Sequence, residues 1–131
     1  MKRREGFTVI EIIVAILVVV VGIVIFFSSQ AEVQATTRDT SRKTSINAAY
    51  YALENSFYKQ HNYYPQSIDS KTLPVIDPGL FKDPAGIAID QPHSTLHYKA
   101  IDCDTAGECH SYELRATLER EADFVKNSIH S

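Results

Sequence analysis

The sequence predicts an α+β protein: a long N-terminal α-helix, half of it membrane-like and half amphipathic, packed on a small C-terminal antiparallel β-sheet. Three observations predict this. An apolar run of 21 residues fills positions 7–27. Apolar residues then recur at helical spacing at Ile46, Ala49, Tyr50, Leu53 and Phe57. Near the other end, two segments alternate with period 2 and fit one another in a single register.

The chain has 131 residues, room for one domain plus appendages. The reading divides it into a basic leader (1–6), an apolar half-helix (7–28), an amphipathic half-helix (29–61) and a small globular head (62–131). Charge is uneven. The formal net charge is −3; residues 1–6 hold three basic side chains and one acid, so the remainder sums to −5. A mildly acidic outer part does not suit generic binding to a polyanion such as DNA, although a small basic patch remains compatible with it.

A helix over 7–27 would be about 31 Å long, close to the ~30 Å hydrocarbon core of a bilayer. Its many β-branched residues favour strand in water, but a lone strand in lipid leaves its backbone unsatisfied, so helix wins. Lys2, Arg3 and Arg4 precede the run, with no matching cluster directly after it. That places the N-terminus in the cytoplasm and the C-terminal part outside.

Three readings of this segment compete. One is a plain signal anchor. Another is a secretory signal peptide cut near Ser29-Gln30-Ala31, but the run exceeds the 7–15 apolar residues such peptides carry. The third starts from the junction Gly6-Phe7-Thr8-Val9-Ile10-Glu11, where a basic leader ends in Gly and a carboxylate follows inside the apolar run. A carboxylate in a membrane helix costs on the order of 2.5–3.5 kcal/mol. A plain anchor has no use for it, unless Glu11 merely reaches the headgroups. Cleavage after Gly6 would create an α-amine on Phe7, one turn from Glu11, and the two could pair within a chain or between neighbours.

The junction resembles the type III signal of type IV prepilins and type II secretion pseudopilins. In that family a prepilin peptidase cuts after the Gly and N-methylates the new Phe, and the Glu helps dock each subunit into a filament. The resemblance implies Gly6 as the cleavage residue, Phe7 as the methylated terminus and Glu11 as the assembly residue. It implies a pilin-like fold and a structural, non-enzymatic subunit of a type IV pilus-like filament serving adhesion, motility or DNA uptake. The alternatives are a pseudopilin of a secretion system or, from another class, an unprocessed membrane-anchored binding protein. The implied partners are the peptidase, other pilins, an inner-membrane assembly machinery with a separate ATPase, and lipid before assembly. One departure stands out. Many members carry a Pro late in the apolar stretch, where this chain reads Phe27-Ser28-Ser29-Gln30 and has only Gly22 as a weak point.

Beyond the membrane half, no Pro or Gly interrupts the chain between Gly22 and Pro65. The charges Arg38, Asp39, Arg42 and Lys43 read as a solvated face or as contacts between subunits. The Ile46–Phe57 stripe reads as core. The helix should end near residue 61, with Asn62 as a left-handed cap and Tyr64 extended before Pro65.

In the head, placing Cys103 opposite Cys109 pairs Ala100 with Tyr112, Tyr98 with Leu114 and Leu96 with Ala116 on one face. The other face pairs Lys99 with Glu113 and Thr95 with Thr117. This apolar face and these matched pairs support strands over 94–101 and 110–118 and a Cys103–Cys109 disulfide. A third strand is expected from 71–76 or 86–90, and the tail 120–131 as a short helix or disordered. Asp83-Pro84-Ala85-Gly86 is a turn signal and resembles the Asp-Pro-x-Gly turn of major pseudopilins. Asp77, Asp83 and Asp90 match no compact calcium-loop spacing. His93 and His97 are expected as exposed neighbours on one strand face, and the tyrosines at the helix exit and in the core. No cofactor, metal site, P-loop or nucleophile elbow is expected.

Overall fold

The computed structural model describes residues 6–130, so the basic residues Lys2, Arg3 and Arg4 of the expected leader, and Ser131, lie outside it. The chain divides into two compact units, Met1–Gln34 and Ala35–Ser131. Helix α1 (Val9–Ala52) supplies the regular structure of the first unit and the helical layer of the second. Thr8 starts it: its carbonyl accepts the Glu11 and Ile12 amides at 3.0 and 3.2 Å, and its hydroxyl faces the Glu11 amide at 3.4 Å. This is the N-cap role expected of Thr before an apolar run.

Within the second unit, α1 passes into a π-turn (Leu53–Phe57) and a last turn, α2 (Tyr58–His61). Asn62 ends the helix at φ 62°, and its amide donates to the Tyr58 carbonyl at 2.7 Å. Tyr64 is extended, as expected before Pro65, and its amide and carbonyl pair with Cys109. The sheet is antiparallel, in the order β1 (Leu96–Cys103), β2 (Cys109–Ala116), β3 (Phe124–Asn127).

The β1–β2 register is the one read from the alternation: Leu96–Ala116, Tyr98–Leu114, Lys99–Glu113, Ala100–Tyr112 and Cys103–Cys109 are partners. Thr95 and Thr117 lie just beyond the ladder but still share a backbone bond of 2.9 Å. Cys103 and Cys109 are joined by a disulfide. In the chain-entropy model so short a loop contributes only about 2–2.5 kcal/mol. The two-way bond between Tyr64 and Cys109 ties the same hairpin end to the helix exit.

Three expectations are corrected. The third strand comes from neither 71–76 nor 86–90. It is β3, out of the tail expected to be helical or disordered, and it pairs with residues 113–116 of β2. Without it β2 would be an unpaired edge. Of the segment 86–90, only Ala88 bridges, to Lys82. His93 lies outside β1 in a turn at φ 69°, so it shares no strand face with His97.

The core is the α1 stripe against the inner sheet face. Ile46, Ala49, Ala52 and Leu53 pack with Leu96, Tyr98, Tyr112, Leu114 and Ala116, under a flap carrying Ile68, Leu73, Ile76 and Phe81. The stripe runs further back than hydropathy suggests. Ala35, Asp39 and Arg42 continue it at the same three- and four-residue spacing and are buried. Arg42 reaches Asp39 at 2.7 Å and Glu119 at 2.9 Å, and Arg38 grips Glu119 with two bonds of 2.8 and 2.6 Å. Asp39 also accepts the amides of Glu119 and Arg120. Asp39 and Arg42 are therefore neither a solvated face nor free for a neighbour. They clamp the segment after β2 onto the helix.

Arg38, then Arg42, hold the Glu119 carboxyl down at about 2, from an ordinary 4.5. Burial pushes Asp39 up, but the amides of Glu119 and Arg120 and the Arg42 guanidinium outweigh it and leave its carboxyl lowered. Carboxyls depressed on folding contribute stability above their unfolded range, lost as pH falls through the folded values. The clamp should thus weaken between about pH 4.5 and pH 2. Denaturant titrations of the head across that window should show a falling midpoint, with a shallower fall in Glu119→Gln.

Candidate functional site

The residues expected to carry filament function gather at the start of the helix. Gly6, Phe7 and Glu11 line one shallow hollow with Thr8 at the start of α1. Phe7 is 77 % exposed, and a side chain at Gly6 would meet nothing within 4 Å. The junction is therefore open to solvent. Phe7 and Thr8 precede the helix, and Glu11 sits in its first turn. Because both line one hollow, an amine on Phe7 and the Glu11 carboxylate can share one layer of an apolar medium.

The helix behind this junction is apolar all round. Its most apolar 18-residue window has a mean hydropathy of 3.4, with none of it buried. Large side chains from Phe7 to Phe27 are exposed on every side. Such a surface belongs in lipid or against other apolar helices. The helix is long and apolar enough to cross a membrane. Ser28 and Ser29 satisfy their hydroxyls on the carbonyls of Val24 and Ile25, at 2.9 and 3.1 Å. They therefore add no unsatisfied polar group where the apolar run ends.

The head's aspartates Asp77, Asp83 and Asp90, which match no calcium-loop spacing, hold turns and a strand. Asp83 is buried and accepts the amides of Ala85, Ile87 and Thr95 and the Thr95 hydroxyl. With Gly86 at φ 82°, this makes the Asp83–Gly86 turn a fixed unit. Asp77 accepts the Gly79 amide at 2.8 Å, and Asp90 the Tyr98 amide at 2.8 Å. The three aspartates sit at separate turns, and the described residues hold no group of three or more potential metal ligands.

Sequence reasoning missed another buried carboxylate, Glu54, on the π-turn. It is 5 % exposed and accepts the hydroxyls of Tyr64 (3.0 Å) and Tyr112 (2.8 Å) and the Ile129 amide (3.1 Å). Burial, and then the bond to Glu54, push both tyrosine hydroxyls well above their ordinary range. They stay protonated donors. The signal was present, since Glu54 lies four residues after Tyr50 and eight after Ile46 on the stripe. The π-turn adds to it by bringing Ala52, Leu53 and Glu54 inward consecutively.

Comparison with protein-family models, curated proteins and solved structures finds no match.

Tyr112→Phe removes one donor from a buried, charged acceptor while keeping the ring. It should destabilise the head by about 1.5–3 kcal/mol in chemical denaturation. A cost near zero would mean that the Tyr64 hydroxyl and the Ile129 amide suffice.

Proposed function

We propose that this chain is a structural subunit of a type IV pilus-like filament, made as a membrane-stored precursor, cut after Gly6 and polymerised through its N-terminal helix. One observation carries the reading: an all-round apolar helix opens on an exposed Gly6–Phe7 junction with a carboxylate in its first turn. A membrane anchor explains the apolar surface. It does not explain Glu11, whose burial in lipid costs on the order of 2.5–3.5 kcal/mol without a partner. The Phe7 amine created by processing is a partner at the right depth, in the same subunit or in its neighbour.

In this reading Lys2, Arg3 and Arg4 hold the leader in the cytoplasm, where a prepilin peptidase removes it and methylates Phe7. The head faces outward, which agrees with its Cys103–Cys109 disulfide. Assembly moves the apolar helix from lipid into a bundle of like helices, driven by an inner-membrane machinery with its own ATPase. The filament would serve adhesion, motility or DNA uptake. A second reading, a pseudopilin of a secretion system, is favoured by the fixed Asp83–Gly86 turn, which resembles the one in major pseudopilins.

The test is Glu11→Ala, expressed in cells with an active peptidase and assembly machinery. The variant should insert and lose its leader normally. Sheared filament yield should drop by at least about tenfold, the factor set by losing a few kcal/mol of pairing in an apolar layer. Normal yield would show that the carboxylate is not needed for docking.

A further inference from the structure

We propose that residues 128–130 form a clasp over Glu54 that tightens when His130 takes up a proton. The proposal is independent of the filament reading. Its first support is the set of bonds that fold this segment down. The Ser128 amide donates to the Tyr112 carbonyl at 3.1 Å, and the Ile129 amide donates to Glu54 Oε1 at 3.1 Å. The His130 ring then lies flat on Tyr58, with centroids 4.3 Å apart and planes within 5°.

Its second support is the electrostatics of Glu54. The carboxylate is buried, and the neutral donors around it satisfy its lone pairs without balancing its charge. The titratable groups that face it or line its surroundings are Tyr64 at the helix exit, Tyr112 on β2, Tyr58 on α2, Tyr50 on α1, Tyr98 on β1, and His110 and His130 across the adjoining polar pocket. The basic group found against Glu54 is His130, with Nε2 3.9 Å from Glu54 Oε2.

A proton on His130 therefore places a cation beside a buried anion without moving the ring off Tyr58. The added attraction is present where imidazole is protonated and lost as pH rises through its range. His130 is half exposed, so solvent keeps the effect small. Opening the clasp would uncover the Tyr58 ring and the Glu54 carboxylate to the pocket shared with Asn62 and His110.

The experiment is amide hydrogen exchange on the full chain in detergent micelles at pH 5.5 and pH 8, with intrinsic exchange rates divided out. Protection of Ile129 should be about two- to fivefold higher at pH 5.5, as expected for a half-exposed ion pair. His130→Phe, which keeps the stacked ring but cannot carry the proton, should lose this difference. His110→Gln should keep it. Glu54→Gln, with His130 in place, should lose it by a separate route. Equal protection at both pH values in the unmodified chain would overturn the proposal. So would a pH difference that persists in His130→Phe or vanishes in His110→Gln.

Discussion

The fold depends on a change of surroundings along helix α1. From Val9 to Phe27 the helix is apolar on every side, and no other described part of its own unit covers it. From Ala35 to Leu53 only one stripe is buried, and the sheet covers it. One continuous helix can do both because its backbone bonds are internal and do not depend on the medium. What differs is the side chains, and so the kind of partner each stretch requires. The first requires lipid or similar helices. The second requires a small sheet, and the head supplies it.

The head is built to hold that stripe. Three strands and a flap bury Ile46, Ala49 and Leu53, and polar clamps close the two ends of the contact. Asp39 and Arg42 bind the segment after β2 at one end. At the other, Glu54 gathers Tyr64, Tyr112 and the Ile129 amide. Buried charges are seldom good for stability alone, but a fully bonded cluster fixes which residues meet. Here each cluster fixes one part of the chain after β2, the first near Glu119 and the second beyond β3. The disulfide and the Tyr64–Cys109 pairing secure the hairpin end beside the helix exit.

Much of this was legible in the residues. The β1–β2 register followed from setting Cys103 opposite Cys109, and period-2 alternation supported it, because one shift would have turned Tyr98, Tyr112 and Leu114 to the wrong face. The helix exit followed from Asn62 and Pro65. Strand β3 did not, because Phe124–Asn127 is only four residues long and its alternation is too short to stand out. Its pairing comes from the open edge of β2, a property of the assembled sheet. Asp39 and Arg42 read as a solvated face or subunit contacts, and Glu54 did not register at all, for another reason. The stripe was read by hydropathy, which passes over charged residues even when their spacing puts them on it. At the N-terminal junction, the order of Gly6, Phe7 and Glu11 was plain in the sequence. The structure adds that the three line one open hollow.

The account's central claim is that Glu11 is kept for the amine released at Phe7. The most direct measurement is the mass of the protein's N-terminal peptide, isolated from its host. The account predicts a chain starting at N-methylated Phe7. A peptide still carrying residues 1–6, from cells with an active prepilin peptidase, would contradict it and leave an unprocessed anchor. A start at Glu32 would contradict it in favour of ordinary secretion.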